Sequence, residues 1–263
     1  MSGDATLACI DVAVTVDAKP LLAPLSVAFV PGRFAAILGP NGAGKSTLLS
    51  VLGGQRRPSA GQVLLDGATL SARSAGELAL RRALMPQESA VAFEFSAQEI
   101  VALGRYPHRR LPARDEASIV PSAMALTDVR SLAHRILNTL SGGERARVHL
   151  ARALAQIWTP RPDGAARWLL LDEPTAALDL AHQHAAMRLL RERAREGIGV
   201  VAVLHDLNLA RRYADDVVVL GGPAGVHVGP AAQVLQPELI AQVWGMPCHQ
   251  VRGIDGTEQF LFG

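Results

Sequence analysis

The chain has 263 residues, of which 49% are hydrophobic and 19% are charged, and its formal net charge is +2. This length allows one large domain whose core needs no disulfide support, and the small charge gives no reason to expect a nucleic-acid partner. Two cysteines, no apolar run near the roughly 20 residues of a membrane helix, and no secretory pattern in Met1–Thr6 favour a soluble, cytoplasmic protein.

Short apolar runs alternate with longer amphipathic stretches, which predicts an α/β protein with a largely parallel sheet. The first two predicted strands are Leu7–Val16 and Leu25–Val30, and a turn is expected around Asp17–Pro20. The chain therefore begins with strands of a sheet, ahead of the first predicted helix.

The third predicted strand, Phe34–Leu38, leads into a glycine-rich loop and a helix that should begin at Lys45 and end near Gly53-Gly54. The loop matches G-x-x-x-x-G-K-[ST], in which glycines let backbone N–H groups surround a phosphate and the helix adds its positive end. Lys45 can reach the β- and γ-phosphates, and the Ser46 hydroxyl can ligate Mg²⁺. The alternative is a glycine-rich turn before an ordinary helix, but a chance match arises in about one in a hundred such chains. The predicted nucleotide-binding residues are Gly39, Pro40, Asn41, Gly42, Ala43, Gly44, Lys45 and Ser46.

Between about Phe93 and Gln156 the strand-like runs stop and helix-forming residues dominate, which predicts an α-helical insertion. Pro121 should start or kink a helix there. Thr159–Ala166 is predicted to be an exposed loop. Three further apolar runs predict buried strands: Trp168–Leu171, Val200–Leu204 and Val217–Leu220.

Two carboxylates, Asp172 and Glu173, follow directly after the apolar run Trp168–Leu171. The carboxyl end of a strand is where α/β sheets bind ligands, so Asp172 is placed to hold Mg²⁺. Glu173 is then the candidate general base for the water that attacks the γ-phosphate. A solvated acidic turn is the alternative, and the phosphate loop upstream favours the catalytic interpretation.

The segment Leu140-Ser141-Gly142-Gly143-Glu144 resembles the signature motif of ATP-binding cassette (ABC) ATPases. Ser141 is also a good N-cap for the helix predicted over Glu144–Gln156, and both interpretations use the anion-binding property of a helix N-terminus. The resemblance implies that Ser141, Gly142 and Gly143 contact the γ-phosphate of ATP held by a second subunit. Two copies arranged head-to-tail would complete two ATP sites.

Further motifs of the same family follow in the family's order. Gln87 resembles the glutamine that senses Mg²⁺ and the attacking water, and Ala177-Leu178-Asp179 resembles the loop that crosses the dimer interface. His205 resembles the switch histidine that contacts the γ-phosphate. The resemblance also adds Thr47 to the phosphate-binding residues. It thus implies catalytic roles for Lys45, Gln87, Glu173 and His205, magnesium contacts from Ser46, Gln87 and Asp172, and a cofactor-binding role for Asp179.

The resemblance covers essentially the whole chain and implies its fold. The expected class is α/β: a P-loop NTPase (RecA-like) core with an antiparallel β subdomain and an inserted α-helical subdomain at about 93–156, all within one domain over 1–263. The implied cofactors are ATP and Mg²⁺. The implied partners are a second copy, two transmembrane permease subunits and, indirectly, a substrate-binding protein, at the cytoplasmic face of the inner membrane.

Three stretches point to the cargo of the transporter by their likeness to importers. Leu103–His108 resembles a stretch of the importers of haem, cobalamin and ferric siderophores, where it lies beside the groove for a permease helix. The runs Ala151–Trp158 and Leu178–His184 are most similar to haem importers. Haem import is therefore the expected function, with cobalamin or siderophore uptake as the alternative.

Other ABC classes fit less well. Those that act on nucleic acid carry tandem cassettes or long arms, whereas only about fifty residues separate Gln87 from Leu140 here. A non-hydrolysing module is disfavoured because Lys45, Glu173 and His205 are all present. An exporter is a further alternative, but exporter cassettes are usually fused to membrane spans, and this sequence shows no apolar run of that length.

Several local features of the sequence are open to two interpretations. Many family members have an aromatic residue in the first strand to stack on adenine, but Val16 takes that place here, so selectivity for ATP over GTP stays open. Pro247-Cys248-His249 offers haem ligands, although a tail that packs on the core is favoured. The basic run His108–Arg110 suits either a solvated loop or a contact with the permease or lipid headgroups.

Overall fold

The computed structural model describes residues 6–87, 94–254 and 256–263. In chain order, its strands are β1 (Leu7–Val16), β2 (Lys19–Phe29), β3 (Phe34–Leu38), β4 (Ala60–Leu65), β5 (Ala68–Thr69), β6 (Arg82–Met85), β7 (Trp168–Asp172), β8 (Gly199–Val203), β9 (Asp216–Leu220), β10 (Val226–Pro230), β11 (Cys248–Arg252) and β12 (Glu258–Phe262). Its α-helices are α1 (Lys45–Leu52), α2 (Ala75–Ala79), α3 (Ala97–Leu103), α4 (Glu116–Leu126), α5 (Gly142–Ile157), α6 (Leu180–Arg195), α7 (Leu207–Tyr213), α8 (Ala231–Val234) and α9 (Pro237–Trp244).

A six-stranded sheet forms the centre of the described chain, in the order β10-β9-β3-β8-β7-β6. Five of its strands are parallel, and the edge strand β10 runs antiparallel to β9. Parallel strands are covered on both faces, which explains why they read as unbroken apolar runs rather than as alternating ones. In β3, for example, Ala36 packs into the hydrophobic cluster on one face and Ile37 into the cluster on the other.

The second sheet is antiparallel, has the order β2-β1-β4-β5, and packs with α1 against one face of the central sheet. Strand β2 begins at Lys19 and not at Leu25, so the prediction for this strand started six residues late. Lys19 pairs with Val16, and only Asp17 and Ala18 form the turn, both in the left-handed region (φ 49° and 60°). A two-residue hairpin turn needs positive φ at both positions, and Asp tolerates it better than most residues.

Helices α3, α4 and α5 share a hydrophobic cluster of their own. The predicted start of this helical region, at Phe93, lies outside the described residues, and the first helix after it begins at Ala97. Pro121 lies inside α4, five residues after the helix begins, so it does not start that helix. Two faces of helix α5 are buried in different hydrophobic clusters. Leu150 and Leu154 pack into the cluster of the central sheet, and Val148 and Ala151 pack into the cluster of the helical region.

The loop predicted over Thr159–Ala166 is a loop, but it is not exposed throughout. Arg161 is buried and pairs with Asp66 (2.6 Å) in the turn between β4 and β5, and with Asp163 (2.5 Å). The prolines and glycine of this segment correctly indicated irregular backbone. They carried no signal for an arginine that ties the loop to the antiparallel sheet.

Candidate nucleotide-binding site

The glycine-rich loop joins the end of β3 to the start of α1. Two of its positions require glycine. Gly44 has φ 95°, and a Cβ there would stand 2.5 Å from the carbonyl oxygen of Leu21. A Cβ at Gly39 would stand equally close to the carbonyl oxygen of Leu220. Side chains at either position would clash with neighbouring backbone, so the loop presents main-chain groups where a phosphate would lie.

Lys45, the first residue of α1, is buried and turns back over this loop. Its ammonium group donates to the carbonyl oxygens of Gly39 (2.9 Å) and Pro40 (3.0 Å). Burial lowers the pKa of Lys45, and the nearby Glu173 and Asp172 oppose that shift. A cation is thus held at the centre of the loop, and Thr47 lies in the first turn of the same helix.

Ser46 and Asp172 form the oxygen-rich edge of the site. The Ser46 hydroxyl donates to Oδ1 of Asp172 (3.1 Å), the last residue of β7. Burial raises the pKa of Asp172, while the bond from Ser46 lowers it. A hydroxyl and a buried carboxylate are hard oxygen ligands of the kind that Mg²⁺ takes beside phosphates, so the donor set fits this ion.

Glu173 contacts two other predicted catalytic residues, and the three follow neighbouring strands of the central sheet. Its Oε1 lies 2.5 Å from Nε2 of His205, which follows β8, and its Oε2 accepts from the amide of Gln87 (3.0 Å), which follows β6. Since a carboxylate only accepts, His205 carries its hydrogen on Nε2. Glu173 also has φ 51°, a costly conformation for a residue other than glycine and one that concentrates at functional sites.

Ser141, Gly142 and Gly143 form a second group, at the start of α5. Ser141 Oγ accepts from the backbone N–H of Glu144 (3.2 Å), and the Glu144 carboxylate accepts from the backbone N–H of Ser141 (2.7 Å). This reciprocal capping box leaves Ser141 and Gly142 exposed. The helix-capping interpretation is therefore confirmed, and the anion-binding interpretation uses the same N-terminus.

Asp179 lies beside this second group and caps helix α6 through the backbone N–H of His182 (2.9 Å). Among the described residues, no hydrogen bond of Ser141 or Asp179 reaches the phosphate loop, the Asp172–Glu173 pair or His205. The predicted site residues thus form two separate groups within one chain.

Two residues that support the site had no predicted role. On the face of α5 turned to β6, Arg152 donates to the carbonyl oxygen of Leu84 (2.8 Å), and Gln156 donates to those of Ala79 (2.8 Å) and Arg82 (3.0 Å). The bonds to Leu84 and Arg82 satisfy carbonyl groups on the free edge of β6, the strand that leads to Gln87. Their spacing of four residues on one helix face was the signal available in the sequence.

The basic run has one buried residue and one at the surface, and the cysteine of the tail packs into the core. His108 is buried, and its Nε2 lies 2.8 Å from the carbonyl oxygen of Gln156, so it is not part of a basic surface. Arg109 instead stacks on the exposed ring of Tyr106 (3.9 Å). Cys248 is buried in the cluster of the central sheet, as the packing interpretation of the tail expected.

The parallel sheet, the glycine-rich loop and the acidic end of β7 define a P-loop NTPase. Residues 22–176 match the model of the ABC transporter family, so the chain belongs to that family. It is an ABC-type ATPase, whose ATP hydrolysis is coupled to transport. In the part of the chain that the structure covers, the helices are all too short or too polar to span a bilayer.

Similar proteins include the hemin import ATP-binding protein HmuV of Myxococcus xanthus, 49% identical over 226 residues that cover 86% of this chain and 84% of that protein. The protein of the same name in Rhodococcus jostii is 46% identical, over 94% and 82% of the two chains. A metal-chelate type ABC transporter in an inward-facing conformation has a TM-score of 0.81 at 26% identity, over 99% and 98%. A dimeric ATP-binding cassette bound to ADP and Pi has a TM-score of 0.74 at 26% identity, over 86% and 98%.

Proposed function

We propose that this chain is the ATP-hydrolysing subunit of an importer that moves haemin across a membrane. The observation that supports hydrolysis most directly is the Glu173 carboxylate between Gln87 and His205, at the end of the strand that also supplies Asp172. The cargo is supported by identities of 46–49% to hemin import ATP-binding proteins over most of both chains.

The phosphates of ATP would lie in the glycine-rich loop, with Lys45 reaching the β- and γ-phosphates. That ammonium now bonds to two carbonyl oxygens of its own loop, which a phosphate can replace with a charge-assisted contact. Mg²⁺ held by Ser46, Asp172 and Gln87 would neutralise negative charge on the phosphates. Val16, 40% exposed at the end of β1, offers an aliphatic surface for the base.

Glu173 would act as the general base that takes a proton from the attacking water. Both of its oxygens are engaged here, one by His205 and the other by Gln87. Each oxygen has a second lone pair, so the carboxylate can keep these bonds and still accept a proton. Since His205 is nearly half exposed and Glu173 is mostly buried, the histidine has the room to turn toward a γ-phosphate.

A homodimer would complete the site. Ser141, Gly142 and Gly143 lie apart from the phosphate loop of their own chain, and a helix N-terminus suits a phosphate. A second copy, arranged head-to-tail, would bring its Ser141 group and its Asp179 to this loop. The dimeric form of a similar cassette supports such an assembly.

The remaining partners would be two permease subunits and, through them, a substrate-binding protein, with this chain at the cytoplasmic face of the inner membrane. No nucleic acid takes part in the proposed cycle. The test is uptake into vesicles that contain the permease and this chain. Haemin uptake that requires ATP supports the proposal, whereas uptake of cobalamin or a ferric siderophore in its place would reassign the cargo.

A further inference from the structure

The loop that carries Asp179 is fixed against the start of α5 in the same chain. A Cβ on Gly143 would stand 2.9 Å from the carbonyl oxygen of Ala177, so the two backbones are in close contact. The side-chain amide of Gln183 donates to the carbonyl oxygen of Leu178 (3.1 Å). The main chain of the loop is thus held, and the direction of the exposed Asp179 carboxylate depends on its own contacts.

The imidazole of His182 supplies those contacts. Its Nδ1 lies 2.8 and 2.9 Å from the two carboxylate oxygens of Asp179, and its hydrogen must be on Nδ1 because the carboxylate only accepts. The backbone N–H and the imidazole of His182 also hold the pKa of Asp179 below its usual value. One ring N–H shared between both oxygens, together with the backbone N–H on Oδ1, leaves the carboxylate little freedom to rotate.

The other side of the same ring faces the helical region. Its Nε2 lies 3.7 Å from Oδ2 of Asp128, just after α4, and that oxygen accepts from Arg147 of α5 (3.0 Å). Arg147 also donates to the backbone carbonyl of Asp128 (2.7 Å). At 3.7 Å the contact with Asp128 is longer than a hydrogen bond, so of these two carboxylates the ring holds only that of Asp179.

We propose that His182 is a positioning residue for ATP turnover: its ring holds the exposed Asp179 carboxylate in one orientation. This inference rests on the proposed role of Asp179 in the ATP site completed by two subunits. The contact would keep the Asp179 carboxylate in one direction on the loop that one subunit presents to its partner. Helix capping alone does not explain it, because Asp179 caps α6 through the backbone N–H of His182, which any replacement of the side chain retains.

The test compares His182→Ala and His182→Asn with Asp179→Ala, and with His249→Ala as a control on an exposed histidine far along the chain. In the purified full chain, His182→Ala should lower kcat for ATP by about three- to tenfold, while the dissociation constant for ATP stays within about twofold. The amide nitrogen of Asn lies near the position of Nδ1, so His182→Asn should recover most of the lost rate. Melting temperatures should be unchanged.

Two outcomes would overturn the inference. If His182→Ala turns over ATP at the wild-type rate while Asp179→Ala is impaired, the positioning role is wrong and the proposed function stands. If Asp179→Ala is itself fully active, both the role of Asp179 and the inference fail.

Discussion

At the scale of single residues, Glu173 is the group on which the proposed chemistry depends. It follows the apolar strand β7, which places its carboxylate at the carboxyl edge of the sheet beside the phosphate loop. Its left-handed backbone turns the side chain toward Gln87 and His205, both of which contact it. One carboxylate is thus oriented by two hydrogen-bond donors, and its remaining lone pairs can accept a proton.

Replacing Glu173 with Gln should keep ATP binding and abolish most turnover. The amide fills the same volume but cannot take a proton, and the loss of a positioned base costs about 10² to 10⁴ in rate. Steady-state ATPase rates and ATP titration of the purified chain measure the two effects. The matched control is Glu192→Gln, on an exposed face of α6. Turnover at the wild-type rate in Glu173→Gln would remove this residue as the base.

Gly44→Ala should destabilise the fold as well as weaken ATP binding. Its Cβ would meet the Leu21 carbonyl oxygen at 2.5 Å in addition to adopting a positive φ. Gly67, in the β4–β5 turn, also has a positive φ but open space around it, so Gly67→Ala should cost only about 1–2 kcal/mol. Chemical denaturation of both variants measures the difference. Equal losses of unfolding free energy would contradict the steric explanation.

At the scale of elements, α5 connects the parts of the molecule. One of its faces packs on the central sheet and another on α3 and α4, while Arg152 and Gln156 bond to the edge of β6. The helix begins at Gly142, directly after its N-cap Ser141, and ends beside the buried Arg105, whose guanidinium donates to the carbonyl oxygen of Ala155 and pairs with Glu116. Through these contacts α5 connects the helical region to the strand that leads to Gln87.

The Arg105–Glu116 pair should make part of the stability depend on pH. Arg105 lowers the pKa of Glu116 from 4.5 to about 2, so its contribution is present above pH 4.5 and is lost as the pH falls toward 2. Glu116→Gln should therefore be less stable than the wild type at pH 7, and the difference should shrink below pH 4.5. Urea denaturation at a series of pH values tests this. A constant difference across the series would show that the ion pair contributes nothing.

Sequence patterns predicted the bounds of two strands to the residue. Strand β3 is an unbroken apolar run that is buried throughout, whereas the buried and more exposed positions of β1 are interspersed along the strand. The start of β2 was missed because Lys19 and Pro20 become strand only by pairing with β1. The motifs located the positions of both groups of candidate site residues. The double engagement of Glu173 depends on packing between distant segments.

At the scale of the whole molecule, the two groups of site residues belong to one chain but do not meet within it. The phosphate loop lies at the carboxyl edge of the central sheet, and the Ser141 group lies at the start of α5. Two copies related by a two-fold axis can pair each loop with the other copy's helix. ATP bound at the two sites would then hold the dimer together, and hydrolysis of the ATP would let the two copies separate.

Ser141→Arg should abolish turnover while each monomer still binds ATP, since the arginine blocks only the surface offered to the partner. Lys45→Ala should also be inactive, because it removes the cation of the phosphate loop. Mixing the two variants should restore part of the activity, because one of the two sites in a mixed dimer has an intact loop and an intact Ser141 group. Full activity of Ser141→Arg alone, or no recovery in the mixture, would contradict the head-to-tail arrangement.

The most direct test of the central claim is growth of the source cells on haemin as sole iron source, with the native chain replaced by its Glu173→Gln variant. Uptake of inorganic iron, cobalamin and ferric siderophores in the same cells provides the controls. The account predicts that haemin use fails while the other three continue. If haemin use survives and cobalamin or siderophore uptake fails, the ATPase assignment holds and the proposed cargo is wrong.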